Sequence, residues 1–177
     1  MKVLSKMSQI RDLSELENKY SFLRKNNFID GGTEGSVFLI NGFAGKIVCT
    51  GLKLGDTVWS ANKLIDEYNI GVNLYNHGIS VPKPKGVFLV DHLRSSYSKE
   101  ISERNPAFLM EYLEGYKKIH TLGEKSGDRA RELKYKEFAK FGRVDWFPHD
   151  FDHDENLMYS EEKDDLKILD FGRYERR

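Results

Sequence analysis

The chain has 177 residues, and 28 Lys and Arg balance 28 Asp and Glu to a formal net charge of zero. That balance, together with the lack of any apolar run of membrane-spanning length, gives no global argument for nucleic acid or a bilayer as partner. The length suits one domain, or two small lobes sharing a cleft.

The first residues, Met1-Lys2-Val3-Leu4-Ser5-Lys6, carry neither the apolar core nor the cleavage pattern of a secretion signal, so the expected compartment is the cytoplasm. Cys49 is the single cysteine, which rules out a disulfide within the chain; in Ile47-Val48-Cys49 it reads as a buried small hydrophobe. Ile10, Leu13, Leu16 and Tyr20 recur at helical spacing and predict a packing helix over Gln9 to Lys25. Phe28-Ile29 then leads into Asp30-Gly31-Gly32-Thr33-Glu34-Gly35-Ser36-Val37. Glycines there let backbone N–H groups approach a phosphate, although many such segments are plain turns.

Val37-Phe38-Leu39-Ile40 and Phe43-Ala44-Gly45-Lys46-Ile47-Val48 flank Asn41-Gly42, the strongest short-range hairpin signal. Lys46 interrupts an apolar strand. It belongs on an exposed edge, or it faces inward and needs an anionic partner. A helix is expected from about Thr57 to Asn76, with Leu64, Ile65, Tyr68, Val72 and Tyr75 on one side, Gly78 as its stop, and Pro82 and Pro84 beyond. Glu67 sits near the edge of that apolar face, as a solvated glutamate or as the partner of Lys46.

Gly86 to Val90 reads as a strand, Leu93 to Asn105 as a polar exposed hairpin loop, and Ala107 to Leu113 as a buried strand running into a bend at Glu114-Gly115. A short helix is expected over Tyr116 to Leu122. Another starts at Gly127-Asp128, with Ala130, Leu133, Phe138 and Phe141 inward and Gly142 at its end. A dense oxygen-ligand loop follows, His149-Asp150-Phe151-Asp152-His153-Asp154-Glu155-Asn156, and then Ile168-Leu169-Asp170-Phe171-Gly172. Carboxylates and an amide of this kind suit a hard cation such as Mg²⁺ or Mn²⁺. Asn156 to Tyr159 and Leu166 to Leu169 form a second hairpin across the acidic turn Glu161 to Asp165, which reads as a solvated charged loop. A calcium loop counted from Asp150 fails because Glu155 stands where such a loop needs glycine. The five histidines and Cys49 form no recognisable zinc spacing.

In order, these features are a glycine loop, a strand lysine, a helix glutamate, an apolar strand with an acidic end, a carboxylate loop ending in Asn, and Asp-Phe-Gly. That order resembles the protein kinase fold. The run from Glu67 to Pro84 is similar to the αC helix and following turn of Rio kinases and of the small kinase of the KEOPS tRNA-modification complex. The resemblance covers roughly Phe28 to Arg173. It implies an α+β, two-lobed fold in a single kinase-like domain, with an antiparallel N-lobe over 1–110 and a reduced, mainly helical C-lobe over 111–177. It implies ATP and Mg²⁺ (or Mn²⁺) as ligands. Gly31, Gly32 and Gly35 would cover the phosphates and Val37 and Ala44 would line the base. Lys46 would hold the phosphates and pair with Glu67. Met110 would back the pocket, Glu111 to Leu113 would form the hinge, and Asn156 and Asp170 would hold metal. The implied activity is transfer of the γ-phosphate to a hydroxyl, of protein Ser or Thr; the alternative is a nucleotide-binding pseudokinase acting as a scaffold.

Three departures bear on that expectation. Asp30 stands where the first glycine of the loop belongs. In the family pattern H-R-D-x-x-x-x-N the base aspartate falls on Phe151, with Asp150 and Asp152 on either side. Asp150 is favoured because it adjoins His149 and precedes a hydrophobic residue. No Ala-Pro-Glu segment follows Asp170, so a homodimer or a partner protein is expected to cover the reduced C-lobe.

Overall fold

The computed structural model describes residues 10–12, 28–31, 35–48, 57–96, 99–148, 153–170 and 174–176. Their contacts separate into two compact units, one of Met1–Tyr68 with Lys85–Tyr112, the other of Asn69–Pro84 with Leu113–Arg177. The architecture is mixed α+β.

In the first unit the local decision is made at Asn41-Gly42. Both residues have positive φ, 49° and 80°, which matches the twist of a two-residue hairpin turn. The turn joins β3 (Ser36–Ile40) to β4 (Phe43–Ile47). With β1 (Ile10–Asp12), β2 (Phe28–Gly31), β5 (Pro84–Ser96) and β6 (Lys99–Glu111) they form a six-stranded sheet in the order β1-β5-β6-β4-β3-β2. The pairings of β2 with β3, β3 with β4 and β4 with β6 are antiparallel, while β1 lies parallel to β5.

Two expectations are corrected here. Ile10–Asp12 is a strand paired with Val87–Leu89, not the start of a helix; hydrogen bonds offered by a neighbouring strand override a weak helical period. The remainder of Gln9 to Lys25 lies outside the described residues. The expected loop from Leu93 to Asn105 is largely strand, because β5 and β6 continue through it. Polarity reports exposure rather than backbone conformation, so two polar strands read as a loop.

Helix α1 (Thr57–Asn76) spans the residues its periodicity predicted. It stops through a Schellman arrangement: Gly78 has φ 72°, its N–H donates to Tyr75 O at 3.0 Å, and Ile79 N–H donates to Leu74 O at 3.1 Å. The buried stripe differs in detail from the expected one. Leu64, Ile65 and Leu74 are fully buried, whereas Tyr75 is 42% exposed.

In the second unit, β7 (Lys117–Lys118), β9 (Leu157–Ser160) and β10 (Asp165–Ile168) form a three-stranded sheet, and β8 (Trp146–Pro148) pairs antiparallel with β11 (Tyr174–Arg176). The expected short helix over Tyr116 to Leu122 is instead β7 followed by one 3₁₀ turn, Ile119–Thr121. Helix α2 (Glu124–Lys140) starts before the expected Gly127. Gly123 caps it in extended conformation, Gly127 N–H donates to Gly123 O at 2.8 Å, and Glu124 places negative charge at the positive end of the helix. Ala130 and Phe141 are buried as expected, but Phe138 is 40% exposed. The positions in phase with Ala130 and Phe141 are Lys134 and Glu137, whose side chains are each only 12% exposed. Two polar residues on the inward stripe thus shift it away from the one that hydrophobicity marks. No helix among the described residues is long and apolar enough to cross a membrane.

Candidate functional site

Register assigns the sheet of the first unit two chemically different faces. Val37 stands opposite Lys46, which stands opposite Phe108; Leu39 stands opposite Ala44, which stands opposite Met110. Successive strand residues point to opposite faces. Val37, Ala44, Lys46 and Met110 therefore share one face. The other face carries Ile40, Ile47 and Leu109 into an apolar cluster with Phe88, Val90 and Ala107. Glu111 belongs to that second register set, opposite Phe43, and is exposed. Leu113 is 9% exposed and follows β6 in the chain.

Lys46 is not an edge lysine. It lies between β3 and β6, and its ammonium sits 2.9 Å from Glu67 Oε2, with the two side chains 12% and 3% exposed. The solvated reading of Glu67 is thus corrected. α1 turns the carboxylate onto the sheet face that carries Lys46, and beside it Tyr68 meets Phe108 edge-on with ring centroids 6.0 Å apart. A pair this dry is weak evidence for stability, because desolvating two charges offsets most of their attraction. Its geometric result is definite: a lysine ammonium fixed on the face that Val37, Ala44 and Met110 share.

The glycine loop is described only at its ends. Gly31 closes β2, opposite Ser36; Gly32 lies outside the described residues. Gly35 has a structural reason to be glycine, since a Cβ there would meet the Ile47 carbonyl oxygen at 2.5 Å. Strand packing alone demands it, so Gly35 by itself carries no argument for phosphate.

The second unit brings together Asn156 and Asp170. β9 and β10 pair with Leu157 opposite Ile168, and the ladder extends one step further where Leu169 N–H donates to Asn156 O at 2.8 Å. Asp170 is the next residue. Both it and Asn156 are half-buried, and Asp170 is held at φ 55°. A non-glycine residue in that region is uncommon, and such strain gathers at functional positions. The two oxygen-bearing residues at one hairpin end are those that could hold a hard cation such as Mg²⁺, which takes one or two protein carboxylates and keeps water for its remaining positions; among the described residues no group of three or more His, Cys, Asp or Glu comes together as a metal site. Asp150 and Asp152 lie outside the described residues. The ends of that loop are fixed: Pro148 pairs with Tyr174, and Asn156 adjoins Leu169. Burial pushes the Tyr174 hydroxyl well above its ordinary pKa, and the Asp170 charge adds to the effect.

The acidic turn holds structure that sequence reasoning missed. Asp164 has φ 44°, accepts from Arg129 Nη2 at 2.6 Å and from the Tyr159 hydroxyl at 2.8 Å, and is held down to about 2 by these bonds, Arg129 first. Burial acts to raise Asp165, but hydrogen bonds from Tyr116 at 2.6 Å and from Lys167 outweigh it and hold its carboxyl below the ordinary range. The only signal in the sequence was Asp164-Asp165 at the start of a strand, and nothing marked Arg129 or Tyr116 as partners so far away in the chain.

No protein-family profile matches the chain, and no curated protein matches it.

Proposed function

We propose that the protein is an ATP-dependent phosphotransferase that moves the γ-phosphate to a hydroxyl, of protein serine or threonine. The observation that carries this reading is the Lys46–Glu67 pair at 2.9 Å on the sheet face shared with Val37, Ala44 and Met110. A cation kept on a mixed apolar and charged surface is what a nucleotide needs, with base contacts on Val37, Ala44 and Met110 and phosphate on the ammonium. Gly31, Gly32 and Gly35 are assigned to the phosphates, and Glu111 to Leu113 to the edge of the base.

Asn156 and Asp170 are the residues that would hold Mg²⁺ or Mn²⁺, whose charge counters that of the phosphates when bound. Glu67 orients Lys46, and Lys46 stabilises negative charge on the departing ADP oxygens. The acceptor oxygen forms a bond to the γ-phosphorus, the bond to the bridging oxygen of ADP breaks, and the hydroxyl proton goes to Asp150 or Asp152. Phe151 at the base position favours a second reading, a pseudokinase that binds nucleotide without transfer and serves a partner protein or a second copy of the chain.

The test is incubation with γ-labelled ATP and Mg²⁺ or Mn²⁺, comparing wild type with Lys46→Ala, Asp150→Ala and Asp152→Ala. Label on the protein or an added acceptor, lost in Lys46→Ala and in one Asp variant, supports transfer. ATP-dependent thermal stabilisation without label supports the pseudokinase. Neither label nor stabilisation refutes both.

A further inference from the structure

We propose that Lys134 is a positioning residue: by holding Asp154 it fixes the turn that presents Asn156 beside Asp170. The geometry stands on its own, while its purpose rests on the phosphotransferase reading.

Lys134 occupies the inward stripe of α2 between buried Ala130 and Phe141, and its side chain is only 12% exposed. A lysine in such a position requires an anion. One partner is Asp154 Oδ1 at 3.4 Å, on a side chain 34% exposed. Asp154 opens the single 3₁₀ turn Asp154–Asn156, which no side chain caps. A turn this short has little stability of its own. It is closed by Asn156 N–H donating to His153 O at 3.0 Å, and is tied to the segment before Asp170 by Leu169 N–H donating to Asn156 O at 2.8 Å. The Lys134 contact adds a hold through a side chain, from the far side of the chain.

The helix that supplies it is itself anchored. Arg129 binds Asp164 at 2.6 Å, Glu137 accepts from Ser80 N–H at 2.8 Å, and Lys140 donates to Gly78 O at 2.9 Å. Lys134 therefore projects from a helix with fixed azimuth, and the Asn156 turn inherits that reference. Without the contact the turn keeps its backbone bonds but loses a side-chain restraint.

The experiment uses the full chain, ¹⁵N-labelled, as wild type, Lys134→Met, Lys134→Arg and Asp154→Asn. Methionine keeps the apolar stem and removes the charge. Exchange of the Asn156 and Leu169 amides should quicken about tenfold in Lys134→Met, as expected for losing one charged hydrogen bond. The β9–β10 ladder amides should be unchanged, and Lys134→Arg should restore wild-type rates. Should Lys134→Met fail to fold, Asp154→Asn breaks the pair from its more exposed side and must speed the same two amides. Equal exchange at Asn156 and Leu169, or no recovery with arginine, overturns the proposal. A second readout is Mn²⁺ alone, which should broaden the Asn156 side-chain amide in wild type and need about tenfold more metal in Lys134→Met. If Mn²⁺ broadens nothing in wild type while exchange behaves as stated, the metal reading falls and the positioning role stands. If Mn²⁺ acts equally on wild type and Lys134→Met, the positioning role falls and the metal reading stands.

Discussion

Replacing Glu67 with alanine strands Lys46 between Val37 and Phe108 on a sheet face with little water. At the observed 2.9 Å, the pair attracts by about 6 kcal/mol at an effective dielectric of about 20. Desolvation of both ions takes back most of that, so the pair is worth little relative to two apolar residues. Removing one partner is different, because the buried charge that remains loses its counter-ion at 2.9 Å, at a cost of about 3–5 kcal/mol. Glu67→Leu and Lys46→Met, the two singles, should each lose about that much in urea unfolding, as should Glu67→Ala, and the double variant Lys46→Met/Glu67→Leu should return to within about 1 kcal/mol of wild type. A loss of ~3 kcal/mol corresponds to a fall in Tm of roughly 6–12 °C for a chain of this size. The double variant also separates folding from binding. If Lys46 holds phosphate, it will fold yet gain nothing from ATP, whereas wild type should gain about 2.7 kcal/mol at a hundredfold excess of ATP over Kd. A Glu67→Ala loss below about 1 kcal/mol, or a double variant that loses the sum of the two singles, would refute the argument that the charges are dry and coupled.

Three further outcomes follow from single residues. Asp164 is lowered from 3.8 to about 2 in the folded chain; its stabilising share is therefore complete above its unfolded value and is lost as pH falls through about 2. Its carboxyl carbon should titrate near that value by NMR and return toward 3.8 in Arg129→Ala, and an unmoved midpoint would show that Arg129 is not the cause. Gly35→Ala should cost about 1–3 kcal/mol in urea without any nucleotide present, because the added Cβ meets backbone at Ile47; a neutral result would mean that the strands separate freely there. Asp170→Asn should keep the fold and its positive φ, since Asn tolerates that region, while raising the Mn²⁺ concentration needed for binding; Asp170→Ala should add a backbone cost of about 1 kcal/mol. Unchanged Mn²⁺ binding in either variant, measured by relaxation of water protons, would remove Asp170 from the metal assignment.

What could be read in the sequence was whatever is written locally. Asn41-Gly42 specified its hairpin because only a few residues accept two successive positive φ values. The Thr57–Asn76 helix, with Gly78 beyond it, was legible because its start, period and stop agree. The β9–β10 hairpin was likewise legible from two apolar runs about an acidic turn. What stayed hidden depends on partners distant in the chain. Ile10–Asp12 becomes a strand only because Val87–Leu89 lies alongside. Lys134 and Glu137 face inward where Asp154 and the Ser80 amide are among the partners that meet them, and a hydrophobic pattern assigns such positions to the surface. The Lys46–Glu67 pair lay between these cases. Sequence could name both residues and their need for each other, but not choose burial over solvent. Register and helix phase made that choice.

The enclosure of Lys46 also governs its reactivity as an amine. An acylating reagent dissolved in water must reach the nitrogen lone pair, and Lys46 offers 12% exposure and a carboxylate that keeps its ammonium engaged. Lys136, on the outer side of α2, is 59% exposed. Under limiting reagent the surface amines are consumed first, and Lys46 is modified later, faster with any local opening that loosens its contact with Glu67. The order in which lysines are modified is thus a clock for that local opening, legible by mass spectrometry with no ligand present.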